Sequence, residues 1–191
     1  MTRLSAVLTA RDLPLAELCA ARLDGELFAI DEAFSPVDIP DGPAERARSV
    51  AHYCQGRLIA ELNTAAWIWG ARISPPRHHE LCASLGARAR PAFPLRSLVR
   101  EVVIDESEIA VLNGVPVTTP LRTVVDLARS SETFGDEEAA TVSRLLQLGR
   151  RTVAECIVDL ERRQNLPNKK RARTRLLDLT PADSGGTVSR N

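Results

Sequence analysis

The chain has 191 residues, with 25 Lys plus Arg against 25 Asp plus Glu and 44% hydrophobic residues. A zero net charge excludes a histone-like or generally polybasic protein, and the hydrophobic content suits a globular chain of one domain or a small head on a larger body. No apolar run reaches the roughly 18 residues of a spanning helix, and Met1-Thr2-Arg3-Leu4-Ser5 carries no secretory leader, so a cytoplasmic protein without membrane contact is expected.

Residues 1–45 carry three positive and nine negative side chains, a net of −6. Leu4 to Thr9 can make a short helix. Leu13-Pro14 then opens a second one, in which Leu15, Leu18, Ala21 and Leu23 supply an apolar stripe that Gly25 ends. Glu26 to Ile30 alternates like a strand, and Asp31-Glu32 turns into a second strand from Ala33 to Val37. Helix, helix, strand, turn, strand is the outline of a small winged helix. Its second helix would enter a DNA groove, with Arg3, Arg11 and Arg22 as the candidate DNA contacts. The acidic tip Asp31-Glu32 argues against phosphate binding, which leaves a protein-binding or body-capping head as the alternative. Turn residues at Ile39-Pro40-Asp41-Gly42-Pro43 place a boundary after residue 43, with a body expected over 44–180.

Residues 46–104 reverse to +6. Ala44 to Gln55 reads as a helix with Val50 and Tyr53 turned inward, and Leu58-Ile59-Ala60 as a short buried strand. Asn63 or Thr64 can cap the helix Ala65 to Trp69, which Gly70 ends. Trp67 and Trp69 cannot share one helical face. Trp67 is read as core, and Trp69 as a seam or partner residue. His79 to Ala83 is a strand, so the adjacent His78 and His79 face opposite ways and make a poor metal pair. Arg88, Arg90, Arg96 and Arg100 fall in one segment that can hold phosphate or an acidic protein surface, or can simply be an exposed loop running into an edge strand.

Residues 105–142 return to −6. Val99 to Ile104 and Ile109 to Leu112 are strands, and Asn113-Gly114 turns into the extended Val115 to Thr118. Thr119 can cap a helix whose first residue is Pro120 and whose apolar face is Leu121, Val124, Val125 and Ala128. Asp126 lies beside that face and reads as structural, engaging an arginine or a backbone group. Two further helices follow, Glu138 to Leu148 and Val153 to Arg163. Residues 143–180 are again +6, and Lys169, Lys170, Arg171, Arg173 and Arg175 form the densest basic stretch, suited to an anionic partner or to a solvated terminal helix. The last stretch, 181–191, lacks periodicity and reads as a flexible tail. The fold class is therefore α/β or α+β, a winged-helix head on a mixed body with C-terminal helices.

The four cysteines, Cys19, Cys54, Cys82 and Cys156, are widely spaced, so neither disulfides nor a zinc site is expected. No phosphate loop, kinase Gly-rich loop or nucleophile elbow is present. An enzyme would need an atypical site. Asp105, Asp126, Arg96 and Arg100 are eligible by residue type for magnesium and triphosphate, and nothing in their spacing selects them.

Three segments carry a family resemblance: Thr9 to Phe28, Leu58 to Gly70, and above all Leu112-Asn113-Gly114-Val115-Pro116-Val117-Thr118-Thr119-Pro120-Leu121-Arg122-Thr123-Val124-Val125-Asp126-Leu127-Ala128. Together, over roughly residues 4–130, they resemble the AbiEi-family antitoxins of actinobacteria. The resemblance implies an antitoxin paired with a co-encoded nucleotidyltransferase toxin, with operator binding and autoregulation in some members. It also implies an alternative, a serine kinase that inactivates its toxin using ATP and magnesium. Without the kinase, no cofactor is expected. A plain winged-helix transcriptional regulator is the remaining reading.

Overall fold

The structure, a computed structural model, describes residues 6–87, 89–163 and 166–179. Arg3, Arg88 and the expected tail 181–191 lie outside the described residues.

The first described segment departs from expectation. Residues 6–9 are not helical: Leu8 forms an isolated antiparallel bridge with Phe34. Val7 and Leu8 are both buried, as fits a stretch with a β-branched residue laid along a hairpin. One helix, α1 (Leu15–Leu23), and one hairpin, β1 (Leu27–Ile30) with β2 (Ala33–Pro36), complete the head. Among the described residues the head thus holds one of the two helices that a winged helix needs. Leu8, Leu18, Leu27 and Phe34 form its small core.

The helix expected over Ala44 to Gln55 is shorter. It runs as α2 (Pro43–Ser49) and continues as turns through Tyr53. Proline at the first position fixes its start. The central sheet contains β3 (Ile59–Ala60), β4 (His79–Ser84), β5 (Ser97–Val102), β6 (Ile109–Leu112) and β7 (Val115–Thr118), in the order β5-β4-β3-β7-β6. It is mixed: β4–β5 and β3–β7 are parallel, while β3–β4 and β6–β7 are antiparallel. The β6–β7 hairpin turns on Asn113 and Gly114, both at positive φ (49° and 81°), which is the twist a two-residue hairpin requires.

The strands alternate between two faces. On one face Ala60, Leu81, Ala83, Val115 and Val117 pack with Val50, Tyr53, Leu58, Trp67 and Ile68, and the same cluster takes in Val7, Ile30 and Ala33 from the head. Residues on both sides of position 43 therefore share one core. A second cluster joins α3 (Leu62–Ile68), α4 (Pro120–Ser130), α5 (Asp136–Leu148), α6 (Val153–Arg162) and α7 (Lys169–Asp178). Trp67 is 2% exposed, in keeping with the core reading. Trp69 packs against both clusters and donates its indole N–H to the Thr118 carbonyl at 2.8 Å. The fold is α+β, with an open mixed sheet and helices gathered around α4.

Candidate functional site

Helix α4 organises the most charged interior in the molecule. Thr119 caps it by accepting the Arg122 N–H at 3.4 Å. Two successive helical turns then set Arg122, Asp126 and Arg129 along one face, because residues three and four apart share a helix face. Arg122 Nε donates to Asp126 Oδ2 and Arg129 Nε to Asp126 Oδ1, each at 2.8 Å. Arg100 reaches across from β5 and donates to Asp126 Oδ2 at 3.3 Å. The same nitrogen, Nη2, and Nε clamp Glu61 at 2.7 and 2.5 Å, and Nη1 donates to the Ser130 hydroxyl at 3.3 Å. Arg122 continues to Glu108 Oε2 at 2.7 Å and to the Val103 carbonyl at 3.1 Å. Glu108 in turn takes Arg163, which also holds Asp159. Four carboxylates and four guanidiniums alternate, so the network is neutral.

Burial makes this arrangement consequential. The Asp126, Glu61 and Arg122 side chains are exposed by only 1%, 2% and 2%. Burial alone would raise the Asp126 carboxyl, but Arg122, Arg129 and Arg100 outweigh it and hold Asp126 below the usual range. For Glu61 burial wins over Arg100, and its pKa is raised. Both Asp126 oxygens are occupied by arginine N–H groups. A magnesium ion on Asp126 would have to displace them, while Asp105 is turned to capping a short turn with Glu108. Among the described residues no group of three or more His, Cys, Asp or Glu is placed to hold a metal ion. The buried thiols of Cys54 and Cys156 are pushed up to about 12 by burial, which keeps them protonated and unreactive.

Both carboxylates of the acidic hairpin tip reach the body. Asp31, at φ 54°, places its carboxylate 3.1 Å from His79 Nε2, and the two side chains are 5% and 0% exposed. Glu32 accepts the Tyr53 hydroxyl at 2.7 Å and pairs with Arg96 at 3.1 Å. Burial and the Glu32 hydrogen bond push the Tyr53 phenol up. Beside this clasp lies a cavity of about 460 Å³, lined by Val7, Thr9, Arg11, Arg48, His52 and Phe93 among others.

Of the residues singled out from the sequence, Arg100 and Asp126 meet in the α4 network, and the other basic candidates are scattered. Arg11 lines that seam cavity, and Arg22 stands exposed on α1. Arg90 is exposed, Arg96 belongs to the clasp and Arg100 to the α4 network. Most of the C-terminal basic residues work inside the chain. Arg175 donates to the Ala128 and Ser131 carbonyls at 3.0 and 2.9 Å and stacks over Phe134, while Arg171 donates to the Arg129 carbonyl at 2.5 Å. These bonds satisfy carbonyls that the end of α4 leaves open. Lys169 donates to the Glu161 and Arg163 carbonyls. Arg173, 56% exposed, sits 3.6 Å from Glu161, and Lys170 is exposed.

Sequence reasoning expected Asp126 to engage an arginine and named Arg100, which does reach it, but did not single out Arg122 and Arg129. The Arg122-Asp126-Arg129 spacing was the available signal. Glu61, Glu108 and Arg163 join only through tertiary folding, and the Asp31–His79 pair has no local signature.

Comparison with known proteins places this body in context. Residues 58–179 match the model of the AbiEi antitoxin C-terminal domain, a stretch that contains the sheet and the whole α4 network. Among solved structures, the chain is similar to the RV2827C protein from Mycobacterium tuberculosis at 14% identity and a TM-score of 0.38, over 92% of this chain and 75% of that one. No curated protein matches.

Proposed function

The chain belongs to the AbiEi antitoxin family, and we propose that it neutralises a co-encoded nucleotidyltransferase toxin by direct protein contact, in the cytoplasm. The observation that carries the antitoxin role is the family match across residues 58–179. Direct contact is supported by the chemistry of the α4 network: its carboxylates are closed by arginines, so it holds a shape and offers no free pair for a metal-dependent phosphoryl transfer. The reading needs no cofactor. It is also consistent with the described residues containing no helix long and apolar enough to cross a membrane.

Operator binding, implied for some relatives, has less support here. Arg11 and Arg22 do not lie on one helix, and the outward face of α1 is apolar. The test is co-expression with the neighbouring toxin. Growth should be restored by the full-length chain and the two proteins should co-purify. Continued toxicity in the presence of soluble, folded chain would sink the antitoxin role. Protection that depends on ATP and leaves labelled phosphate on the toxin would replace direct contact with the kinase alternative.

A further inference from the structure

The cavity beside the Asp31–His79 clasp is lined from both sides of the boundary at residue 43. Arg11, Asp12 and Glu32 come from the head, Arg48 from α2, His52 and Gln55 from the stretch that follows it, and Phe93 from the loop before β5. At about 460 Å³ it has the size of a small-ligand pocket. Its charged groups are not equally occupied. Glu32 pairs with Arg96 at 3.1 Å and accepts the Tyr53 hydroxyl at 2.7 Å. Asp12 accepts the Thr9 N–H and hydroxyl at 2.8 and 2.9 Å. Nearby arginines are used too: Arg46 holds Asp41 and the Trp67 carbonyl. The guanidiniums of Arg11 and Arg48, both exposed, have no hydrogen-bond or ion-pair partner among the described residues. With Glu32 neutralised by Arg96, the lining sets these two arginines against one carboxylate, Asp12. Burial holds His52 below its usual pKa, so its ring is neutral at pH 7 and the positive charge rests with the arginines.

Two free guanidiniums offer more donors than one carboxylate can take. A carboxylate presents two oxygens and is filled by one bidentate arginine, whereas a phosphate monoester presents three terminal oxygens and close to two negative charges. The same cavity has an aromatic wall. Phe93 is 40% exposed, and T-shaped contacts with His52 and Tyr53, at centroid distances of 5.2 and 5.5 Å, hold it in place. A ring fixed by its neighbours and open to solvent is a surface on which a second flat ring stacks. The Gln55 side-chain amide, also without a partner among the described residues, supplies a donor and an acceptor for the edge of such a ring. Bare phosphate would use the arginines and leave the ring and the amide idle. A phosphate ester that carries a flat base uses all three.

We infer that this seam cavity binds a free mononucleotide, with Arg11 and Arg48 on the phosphate and Phe93 against the base. Arg11 belongs to the head, and Arg48 and Phe93 to the body, so the bound ligand ties the two together. The site is built from the chain's own side chains and stands whether or not the chain neutralises a toxin. It differs from the kinase alternative in needing no magnesium, because the arginines alone meet the phosphate charge.

The test uses the full-length chain in buffer containing EDTA. AMP, GMP, CMP and UMP are titrated by calorimetry, beside inorganic phosphate, ribose 5-phosphate and the four nucleosides, and thermal unfolding is followed with and without each ligand. At least one nucleotide should bind about tenfold or more tighter than phosphate, ribose 5-phosphate or its own nucleoside, and should raise the melting temperature. Arg11→Gln and Arg48→Gln should each weaken that nucleotide about tenfold, as loss of a charge-assisted hydrogen bond does, and leave the nucleoside unchanged. Phe93→Ala should also weaken it about tenfold, through lost stacking, and leave ribose 5-phosphate unchanged. Both arginines are exposed, so their variants should melt close to wild type without ligand. Should Phe93→Ala fail to fold, the two arginine variants still decide the matter. No nucleotide binding up to about 1 mM overturns the proposal. Binding that all three variants leave unchanged places the nucleotide elsewhere and does the same. Inorganic phosphate that binds as tightly as the best nucleotide reduces the cavity to an anion hole and overturns the nucleotide assignment. A 5′-phosphorylated oligonucleotide that binds about tenfold tighter than the mononucleotides assigns the cavity to a nucleic-acid end and overturns the free ligand. Binding that appears only when magnesium replaces EDTA overturns the arginine-held phosphate.

Discussion

Helices α1 and α4 are similar in length and opposite in logic. In α4 the eight residues from Arg122 to Arg129 are all buried, three of them charged. In α1 one residue of nine is buried, and two leucines face water. The charges of α4 are tolerated inside because each meets a fixed counter-charge, so they define geometry rather than offer reactivity. The leucines of α1 remain outside because the head's small core is already filled by Leu8, Leu18, Leu27 and Phe34. Polarity along the chain therefore does not tell surface from interior. What separates the two helices is whether each side chain has a partner within the chain. By that measure α4 is the keystone, and α1 leaves most of its side chains to solvent.

The largest expected effect breaks the keystone. Asp126→Ala leaves Arg122, Arg129 and one arm of Arg100 buried without their shared acceptor, and should cost about 3–5 kcal/mol in urea unfolding. Leu15→Ser and Leu23→Ser on α1, both at exposed positions, should each change stability by no more than about 0.5 kcal/mol. Equal costs at the two helices would erase the contrast between them. The pH dependence has a definite sign. The folded-state pKa of Asp126 is depressed, so its contribution is fully present above the unfolded value of about 3.9 and is lost as pH falls through the lower folded value. Glu61, shifted upward, works in the opposite direction, so Asp126→Ala should flatten the acid limb while Glu61→Gln steepens it.

The next effect concerns how firmly the head is fixed. Asp31→Ala removes the carboxylate beside fully buried His79 and should cost about 2–3 kcal/mol, the range for a hydrogen bond to a charged group plus a group left unpaired. Asp31 also sits at φ 54°, where glycine is at ease. Asp31→Gly should therefore be less harmful than Asp31→Ala by up to about 1 kcal/mol. If both variants unfold like wild type in denaturant titrations, the clasp contributes nothing.

Much of the body was legible from local pattern. Asn113-Gly114 signalled its hairpin because few residues accept two positive φ values in succession, and Thr119-Pro120 marked the start of α4 because both residues suit a helix opening. The head was harder. Val7 and Leu8 satisfy a short helical pattern as well as an extended one, and pairing with Phe34 decides between them. The start of α3 was also misread. Neither Asn63 nor Thr64 caps it: Leu62 takes a left-handed backbone at φ 47°, the helix opens at Leu62, and Thr64 instead accepts the Glu80 N–H at 2.8 Å. No local rule predicts leucine at a positive φ. The sequence placed Leu15 and Leu18 on one inward stripe, whereas burial separates them, since position 18 faces the hairpin and position 15 does not.

A smaller effect tests the basic C-terminal helix α7, which by composition alone looks ready for an anionic partner. Arg171→Ala and Arg175→Ala each leave carbonyls at the end of α4 without a donor and should cost about 1–2 kcal/mol in thermal or urea unfolding. Lys170→Ala should stay within about 0.5 kcal/mol. Toxin affinity should be unchanged in all three. Loss of affinity at Arg171 or Arg175 without loss of stability would make α7 a contact surface.

The smallest effect lies at the seam between head and body, where His52 is half-buried beside Glu32 at 3.6 Å. Burial lowers the His52 pKa, and the nearby carboxylates Glu32 and Asp31 only partly offset this. A histidine held below its unfolded value favours the folded state when neutral. Its contribution is thus complete above about pH 6.5 and is lost as pH falls through the depressed folded value. Because His52 keeps considerable contact with solvent, screening limits the size of this term to less than about 1 kcal/mol. The sign separates His52 from a simple ion pair with Glu32, in which protonation would strengthen the seam and stability would rise on acidification. Melting temperatures of wild type and His52→Gln, taken from pH 7.5 down to about pH 5, distinguish the two. Wild type should lose stability faster than the glutamine variant over that window. The reverse order would make the His52–Glu32 attraction, rather than burial, the controlling term at the seam.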